Sequence, residues 1–446
     1  MASAAEQLAA NFNFGSISKA KELRQRIWFT LGALIVARIG TYIPMPGIDP
    51  SALAAQLAQA GGGLLDVFNT LAGGAVNRMA IFALGIMPYI SASIIIQLMT
   101  SVFPELEALK KEGEAGRKVI NQYTRYLTVV LAVVQAYAIA IGLERFGGAT
   151  PIVIETGWFF RIGAVITLTG GTMLLMWIGE QITSRGVGNG ISLIIFAGII
   201  ADFPRIIGQT LEQARTGALN PLLVIFFAVF TVALVAGIVY FERAQRRLFV
   251  TYPKRQVGNK VFGGESSHLP LKLNVSGVIP PIFASSILLL PTTAASFNSQ
   301  NMPEWLQFIV THLSRGQAAY MLLYAGLIIF FTFFYTSVVF NPQETADNLK
   351  KYGGVFPGIR PGKKSAQFID YTLTRITVIG AAYLTVVCLI PEFMFYEYNL
   401  SFALGGTSIL IVVSVTMDTV AQIQSHLVAQ QYEGLLKKSK LRGARK

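Results

Sequence analysis

The sequence predicts an all-α polytopic membrane protein, with ten transmembrane helices in two inverted five-helix halves and one short re-entrant helix. Three observations carry that prediction. Hydrophobic residues fill 53% of 446 positions and charged residues only 13%, about half the charge that a soluble domain uses to cover its surface. Lys and Arg exceed Asp and Glu by 13 and are segregated along the chain. Ten apolar runs, most near the length of about 20 residues that crosses a hydrocarbon core, recur between polar stretches. The composition excludes a disordered chain, and a single Cys excludes a disulfide framework.

The first 26 residues hold Glu6, Lys19, Lys21, Arg24 and Arg26 and no early apolar run, so no cleavable signal peptide is expected. The first five spans follow at 27–43, 80–102, 127–143, 158–178 and 191–207. The second five fall at 222–240, 275–290, 320–340, 376–393 and 402–420, the seventh span being short and carrying Pro280-Pro281. With ten spans, 29 of the 36 Lys and Arg residues lie on one side and 6 on the other, with Arg38 inside the first span. Excess positive charge marks the cytoplasmic side, which places both termini in the cytoplasm. The same segregation explains the net charge of +13 without nucleic acid, the rival reading of a basic chain.

The chain then divides into an N-terminal half, residues 1–215, and a C-terminal half, residues 216–446, within one membrane domain. Because five is odd, a duplicated second half would sit inverted relative to the first. Hydropathy alone supports the duplication; no residue-level repeat accompanies it. Spans two and seven both carry proline within the apolar run, as Gly85-Ile86-Met87-Pro88 and Ile279-Pro280-Pro281. Interrupted segments at matching places in two halves point to a pathway between them, and ordinary helix kinking is the plainer alternative.

Residues 44–80 neither cross nor read as a simple loop. Within them, 64–79 (LLDVFNTLAGGAVNRM) is helix-like, preceded by Gly61-Gly62-Gly63 and interrupted by Gly73-Gly74. It is too short to span, so a re-entrant or interfacial placement is expected. The glycine flanks favour mobility, against the alternative of a static half-helix.

Catalytic chemistry is hard to find. His268, His312 and His426 are scattered, with no HExxH and no Cys partner for a metal. The run FPGIRPGKKS (356–365) fails as a P-loop, because Pro357 stands where the first Gly must be and Lys364 where Ser or Thr must be. Gly186-Val187-Gly188-Asn189-Gly190 follows a membrane helix and is no dinucleotide fingerprint. No metal, cofactor or enzymatic activity is expected. Of the charges near the membrane, Arg38, Glu180, Arg161 and Asp418, none sits clearly at mid-span, which counts against an ion-driven carrier.

Five stretches carry a resemblance. They are IFALGIMPYISASIIIQ (81–97), GEQITSRGVGNGISLIIFAG (179–198), HLPLKLNVSGVIPPIFASS (268–286), FNPQETADNLKK (340–351) and PGIRPG (357–362). In order, and over nearly the whole chain, they resemble the SecY/Sec61α family of protein-conducting channels. The resemblance implies a heterotrimer with SecE-like and SecG-like subunits, a SecA-like ATPase that drives export, and a docked ribosome for cotranslational insertion. Its clients would be unfolded secretory and membrane proteins, and its location the bacterial plasma membrane.

The resemblance also implies roles for individual residues. Ile86 with Ile90, and Ile191 with Ile195, are i,i+4 pairs on single helix faces; with Ile282 and Ile411 they match an apolar ring at the narrowest point. Branched aliphatic side chains make non-directional contacts and exclude water and ions by dewetting, which suits a passage for chains of any sequence. The 64–79 segment, with Leu64, Phe68, Gly73 and Gly74, matches the plug. Spans two and seven match the lateral gate, with Ser91, Gln97 and Asn189 as its buried polar residues and Leu290 where many relatives carry an aromatic. Two basic loops, 241–274 and 341–375, match docking elements. Against ribosomal RNA, Arg243, Arg246, Arg247, Lys254 and Arg255 would make salt-sensitive phosphate contacts, while Arg360 sits alone within PGIRPG. A small-solute transporter and a structural scaffold remain the alternatives from the residues themselves; a carrier should show a polar midplane site, and a scaffold should tolerate loss of the ring.

Overall fold

The computed structural model describes residues 21–49, 52–53, 69, 72–145, 152–217, 219–252, 255–257, 260–262, 266–296, 317–398 and 405–443. The described residues form twelve helices and four short strands. The first half contributes α1 (Lys21–Gly40), α2 (Met87–Val102), α3 (Pro104–Lys111), α4 (Glu114–Arg145), α5 (Trp158–Arg185) and α6 (Gly190–Arg215). The second contributes α7 (Pro221–Arg243), β1 (Gln245–Thr251), β2 (Arg255–Val257), β3 (Lys260–Phe262), β4 (Ser266–Lys272) and α8 (Ile279–Ser296). It ends with α9 (Ala318–Val339), α10 (Pro342–Lys351), α11 (Lys363–Tyr398) and α12 (Gly406–Gly443).

Seven of these helices, α4, α5, α6, α7, α9, α11 and α12, are long and apolar enough to cross a membrane. An eighth span results if α2 and α3, bent by 99° at Phe103, count as one. Each of the ten predicted spans overlaps one described helix. The chain is therefore a mostly helical, multi-pass membrane protein. On α7 Ile238 is the single buried residue and about half of the others are exposed, as expected of a helix whose solvent is lipid tails.

The structure corrects the reading of spans two and seven as interrupted. Pro88 lies in the first turn of α2, and Pro280 and Pro281 in the first turn of α8. A first-turn residue has no intrahelical acceptor for its N–H, so proline there starts a helix instead of breaking it. In the stretch 80–86, expected to be helical, Ala80 instead bridges to Pro44 and 81–86 are turns, with Gly85 at φ +56°.

The described residues form two compact units, one built mainly from 21–208 and 411–443 and the other from 209–295 and 317–410. In the first, Met45, Ile48, Met79, Ala83 and Leu84 pack with Ala136 and Ala140 of α4 and Phe160, Ala164 and Leu168 of α5. Small residues on α4 let that irregular stretch lie close against the helix. The end of α12 joins this unit, where Leu427 packs with Leu23 and Val187.

In the second unit, β1 pairs antiparallel with β4, and β2 with β3. Leu248, Val250 and Leu271 of the first pair form a core with Ala346 of α10, Phe356, and Ala366, Ile369 and Ile376 of α11. Thr251 and Val355 exchange two backbone hydrogen bonds of 2.9 Å. Described parts of the two basic loops are thus packed into one folded body. In the second loop Asn341 caps α10 by accepting from the Gln343 and Glu344 N–H groups, and α11 is helical from Lys363.

Candidate functional site

At the start of α2, Ile86 is the residue before the first helical position, and the Ile90 N–H donates to its carbonyl at 3.0 Å. The bond fixes the two isoleucines one turn apart on one face. Ile86 is buried and Ile90 half-buried. At the start of α6, Ile191 Cγ1 lies 3.0 Å from where a Cβ on Gly179 would stand, so α5 and α6 meet here without a side chain between them. Ile195 follows one turn on and is buried. Ile411 belongs to the same unit and is buried, while Ile282 belongs to the other and is half-buried.

The Gly-rich run between α5 and α6 directs its N–H groups to side-chain acceptors. The Val187 N–H donates to Thr30 Oγ1 at 3.0 Å, Gly188 to Gln422 Oε1 at 2.9 Å and Gly190 to Thr183 Oγ1 at 2.9 Å. Those donors are spent on joining α1, α5, α6 and α12. Asn189, expected to be buried, is exposed, and its Oδ1 accepts from the Ile191 and Ser192 N–H groups at 3.1 and 3.4 Å. It is the N-cap of α6, a role that needs a short acceptor just ahead of a helix and leaves it at the surface. Gln97 donates within α2 to Ser93 Oγ at 3.2 Å, and Ser91 is half-buried on the same helix. Leu290 is in α8, and its side chain lies outside the described residues.

Within 64–79, Leu64 and Phe68 lie outside the described residues. Residues 72–79 are consecutive turns where a helix was expected. Gly73 and Gly74 take φ +65° and +80° and Met79 takes +44°, left-handed conformations that cannot continue a right-handed helix. Side chains satisfy the backbone groups this releases. Arg38 Nη1 donates to the Gly73 carbonyl; Arg78 Nε donates to the Gly74 carbonyl at 3.2 Å and its Nη2 to Gly73 at 3.3 Å. Asn69 accepts from the Asn77 N–H at 3.0 Å. The Tyr42 ring lies 4.0 Å from the Arg78 guanidinium carbon and 5.4 Å from that of Arg38. A Cβ on Gly73 would stand 2.9 Å from Gly198 Cα of α6. At Gly73 the missing side chain permits a close approach to α6.

Sequence reasoning missed this two-arginine cradle, although its signal was available. In the predicted topology only six basic residues fall on the side opposite the basic loops, and Arg78 is one of them, four residues beyond Gly73-Gly74. Two other charges flagged near span ends are paired: Arg125 and Glu180 join α4 to α5, and Arg161 and Glu144 join the same helices at their other ends. Asp418 is exposed on α12.

On the loop body, Arg243 ends α7, and Arg246 and Arg247 are exposed on β1 opposite Leu271 and Pro270. Alternation buries Leu248 and Val250 and turns Arg247 and Phe249 outward, with the Phe249 ring 5.4 Å from His268. Arg255 is in β2 without a described side chain, and Lys254 lies outside the described residues. Arg360 is exposed, and its carbonyl accepts from Ser365 Oγ at 3.2 Å, which ties the turn to the start of α11.

Comparison with known proteins adds three findings. Residues 80–420 match the SecY family model. Two relatives are named protein translocase subunit SecY. That of Rickettsia conorii is 57% identical over 94% of this chain and 97% of its own. That of Escherichia coli strain K12 is 55% identical over 95% and 96%. Among solved structures, a protein-conducting channel aligns with TM-score 0.64 at 18% identity, over 90% of this chain and 92% of its own. Sec61 from the canine ribosome-channel complex aligns at 0.61 and 18% over the same shares.

Proposed function

Because the chain belongs to the SecY family, we propose that it is the pore subunit of a protein-conducting channel. It passes unfolded secretory chains across the membrane and releases apolar segments sideways into the bilayer. The single observation that carries this reading is the pair of aliphatic helix starts, Ile86 with Ile90 and Ile191 with Ile195, built into one unit. With Ile282 and Ile411 they form the ring, where non-directional contacts grip no particular side chain and dewetting holds back ions. The 64–79 segment closes the passage at rest.

The chain performs no covalent chemistry of its own, so its drive comes from partners: SecE-like and SecG-like subunits beside it, a SecA-like ATPase and the ribosome. The latter two dock on the body formed by 241–274 and 341–375. It resides in the bacterial plasma membrane with both termini in the cytoplasm, as the distribution of Lys and Arg supports. The small-solute carrier gains no support, since the relatives carry the translocase name.

The experiment is a crosslinking scan. A secretory chain stalled in the channel should crosslink to cysteines placed at the six ring positions and not to cysteines on the exposed face of α7. Crosslinks spread evenly over both sets would remove the pore assignment.

A further inference from the structure

The first turn of α12 is fixed by two contacts of different kinds, both within the second unit. One is steric. Pro391 lies inside α11 and has no N–H to give the Val387 carbonyl one turn before it. The chain returns to that bared backbone at Gly406, where a Cβ would overlap the Val387 carbonyl oxygen and stand 2.8 Å from Cys388 Cα. Only a residue without a side chain lets α12 begin against α11 at this point.

The other contact is a hydrogen bond. Thr332, Thr336, Thr377 and Thr385 each donate the side-chain hydroxyl to the carbonyl four residues before, within their own helices. Thr407 is the second residue of α12 and has no helical carbonyl four residues behind it. Its hydroxyl reaches across to α9 and lies 2.8 Å from that of Tyr324. Tyr324 is 2% exposed, and its ring stacks on Tyr320, one turn earlier, at 5.8 Å and 17°. A phenol placed so deeply cannot turn to water, so its hydroxyl is held to a partner within the protein.

Ile411 stands one turn beyond Thr407 on the same helix and is 1% exposed. A helix whose first turn is fixed in height and rotation carries the residue four places on to a fixed height and direction. From this geometry we propose that Tyr324 is a positioning residue for the closed passage. Through Thr407 it holds the first turn of α12, and with it Ile411, in the arrangement that keeps the resting channel shut to ions. It acts through α12 and not by contact with a client chain. The inference rests on the pore reading given above, in which Ile411 belongs to the ring.

The test measures resting ion conductance of the whole channel in proteoliposomes, at matched channel levels and alongside thermal unfolding. Tyr324→Phe keeps the stacked ring and removes its hydroxyl; Thr407→Val keeps the shape and removes the other partner. Each should raise resting conductance several-fold with little change in unfolding temperature. The two together should raise it no further than either alone. Thr407→Ser still offers a hydroxyl to Tyr324 and should remain near background. A bond that serves only the fold would lower the unfolding temperature and leave conductance at background, which overturns the inference. Leak from Thr407→Val without leak from Tyr324→Phe overturns it too, because Thr407 would then act without its partner. Ile411→Ser tests the pore reading separately. Background conductance there overturns the ring assignment itself, whereas a leaking Ile411→Ser channel beside a tight Tyr324→Phe channel overturns this inference alone.

Discussion

Arg125 and Glu180 form a two-bond ion pair, with Arg125 Nε and Nη2 each 2.8 Å from a different carboxylate oxygen, and they clamp α4 to α5. The side chains are 48% and 29% exposed, which places the pair between the surface and buried regimes. Its geometry is that of a structural clamp. Glu180→Gln should therefore lower detergent-solubilised stability by about 1 kcal/mol. A double-variant cycle with Arg125→Gln should show coupling of similar size, read by thermal unfolding. Loss of export at full stability would instead point to a titrating role.

The ring makes a sharper demand. Exchanging several of Ile86, Ile90, Ile191, Ile195, Ile282 and Ile411 for Ser removes the dewetted barrier, and resting proteoliposomes should conduct ions. Ile411 is 1% exposed, so its truncation also costs packing, about 2–4 kcal/mol for removal of a buried aliphatic chain. Leak from the half-buried positions, Ile90 and Ile282, separates the two effects. Background conductance in an Ile90→Ser, Ile282→Ser channel would dismiss the ring.

The cradle around Gly73-Gly74 sets an expectation for the re-entrant segment. Gly73→Ala forces a Cβ toward Gly198 at a positive φ, with a cost of about 1–3 kcal/mol. A cysteine at Asn77, half-buried, should label slowly at rest and faster when a client fills the passage. Arg78→Ala should speed the resting reaction by freeing two carbonyl contacts. Labelling that neither client nor Arg78→Ala changes would mark the segment as a static filler.

The spans were legible because hydropathy acts over about 20 residues and survives local irregularity. Local starts and turns were not. Pro88 and Pro280 read as interruptions because a periodicity argument does not know where a helix begins. Asn189 read as a buried polar group, yet its position just ahead of Gly190 was the N-cap signal. The joined loop body depends on Thr251 meeting Val355, a pairing some hundred residues apart that no local pattern encodes.

That pairing separates the partners of the loop body. Val355→Pro removes one of the two bridging hydrogen bonds, and the core of Val250, Phe356 and Ala366 should loosen with it. Both ribosome binding and ATPase-driven export should then weaken. Arg360→Glu leaves that core intact and reverses one exposed charge, so it should impair ATPase-driven export alone. An arginine fixed in a turn suits a bidentate contact to a carboxylate or phosphate. Arg246→Glu with Arg247→Glu acts differently. If these arginines meet ribosomal RNA, affinity should fall, and the slope of log affinity against log salt should shrink by about two. Normal export of several secretory proteins by Arg360→Glu at wild-type channel levels would strip that residue of its docking role, and an unchanged salt slope would do the same for the β1 arginines.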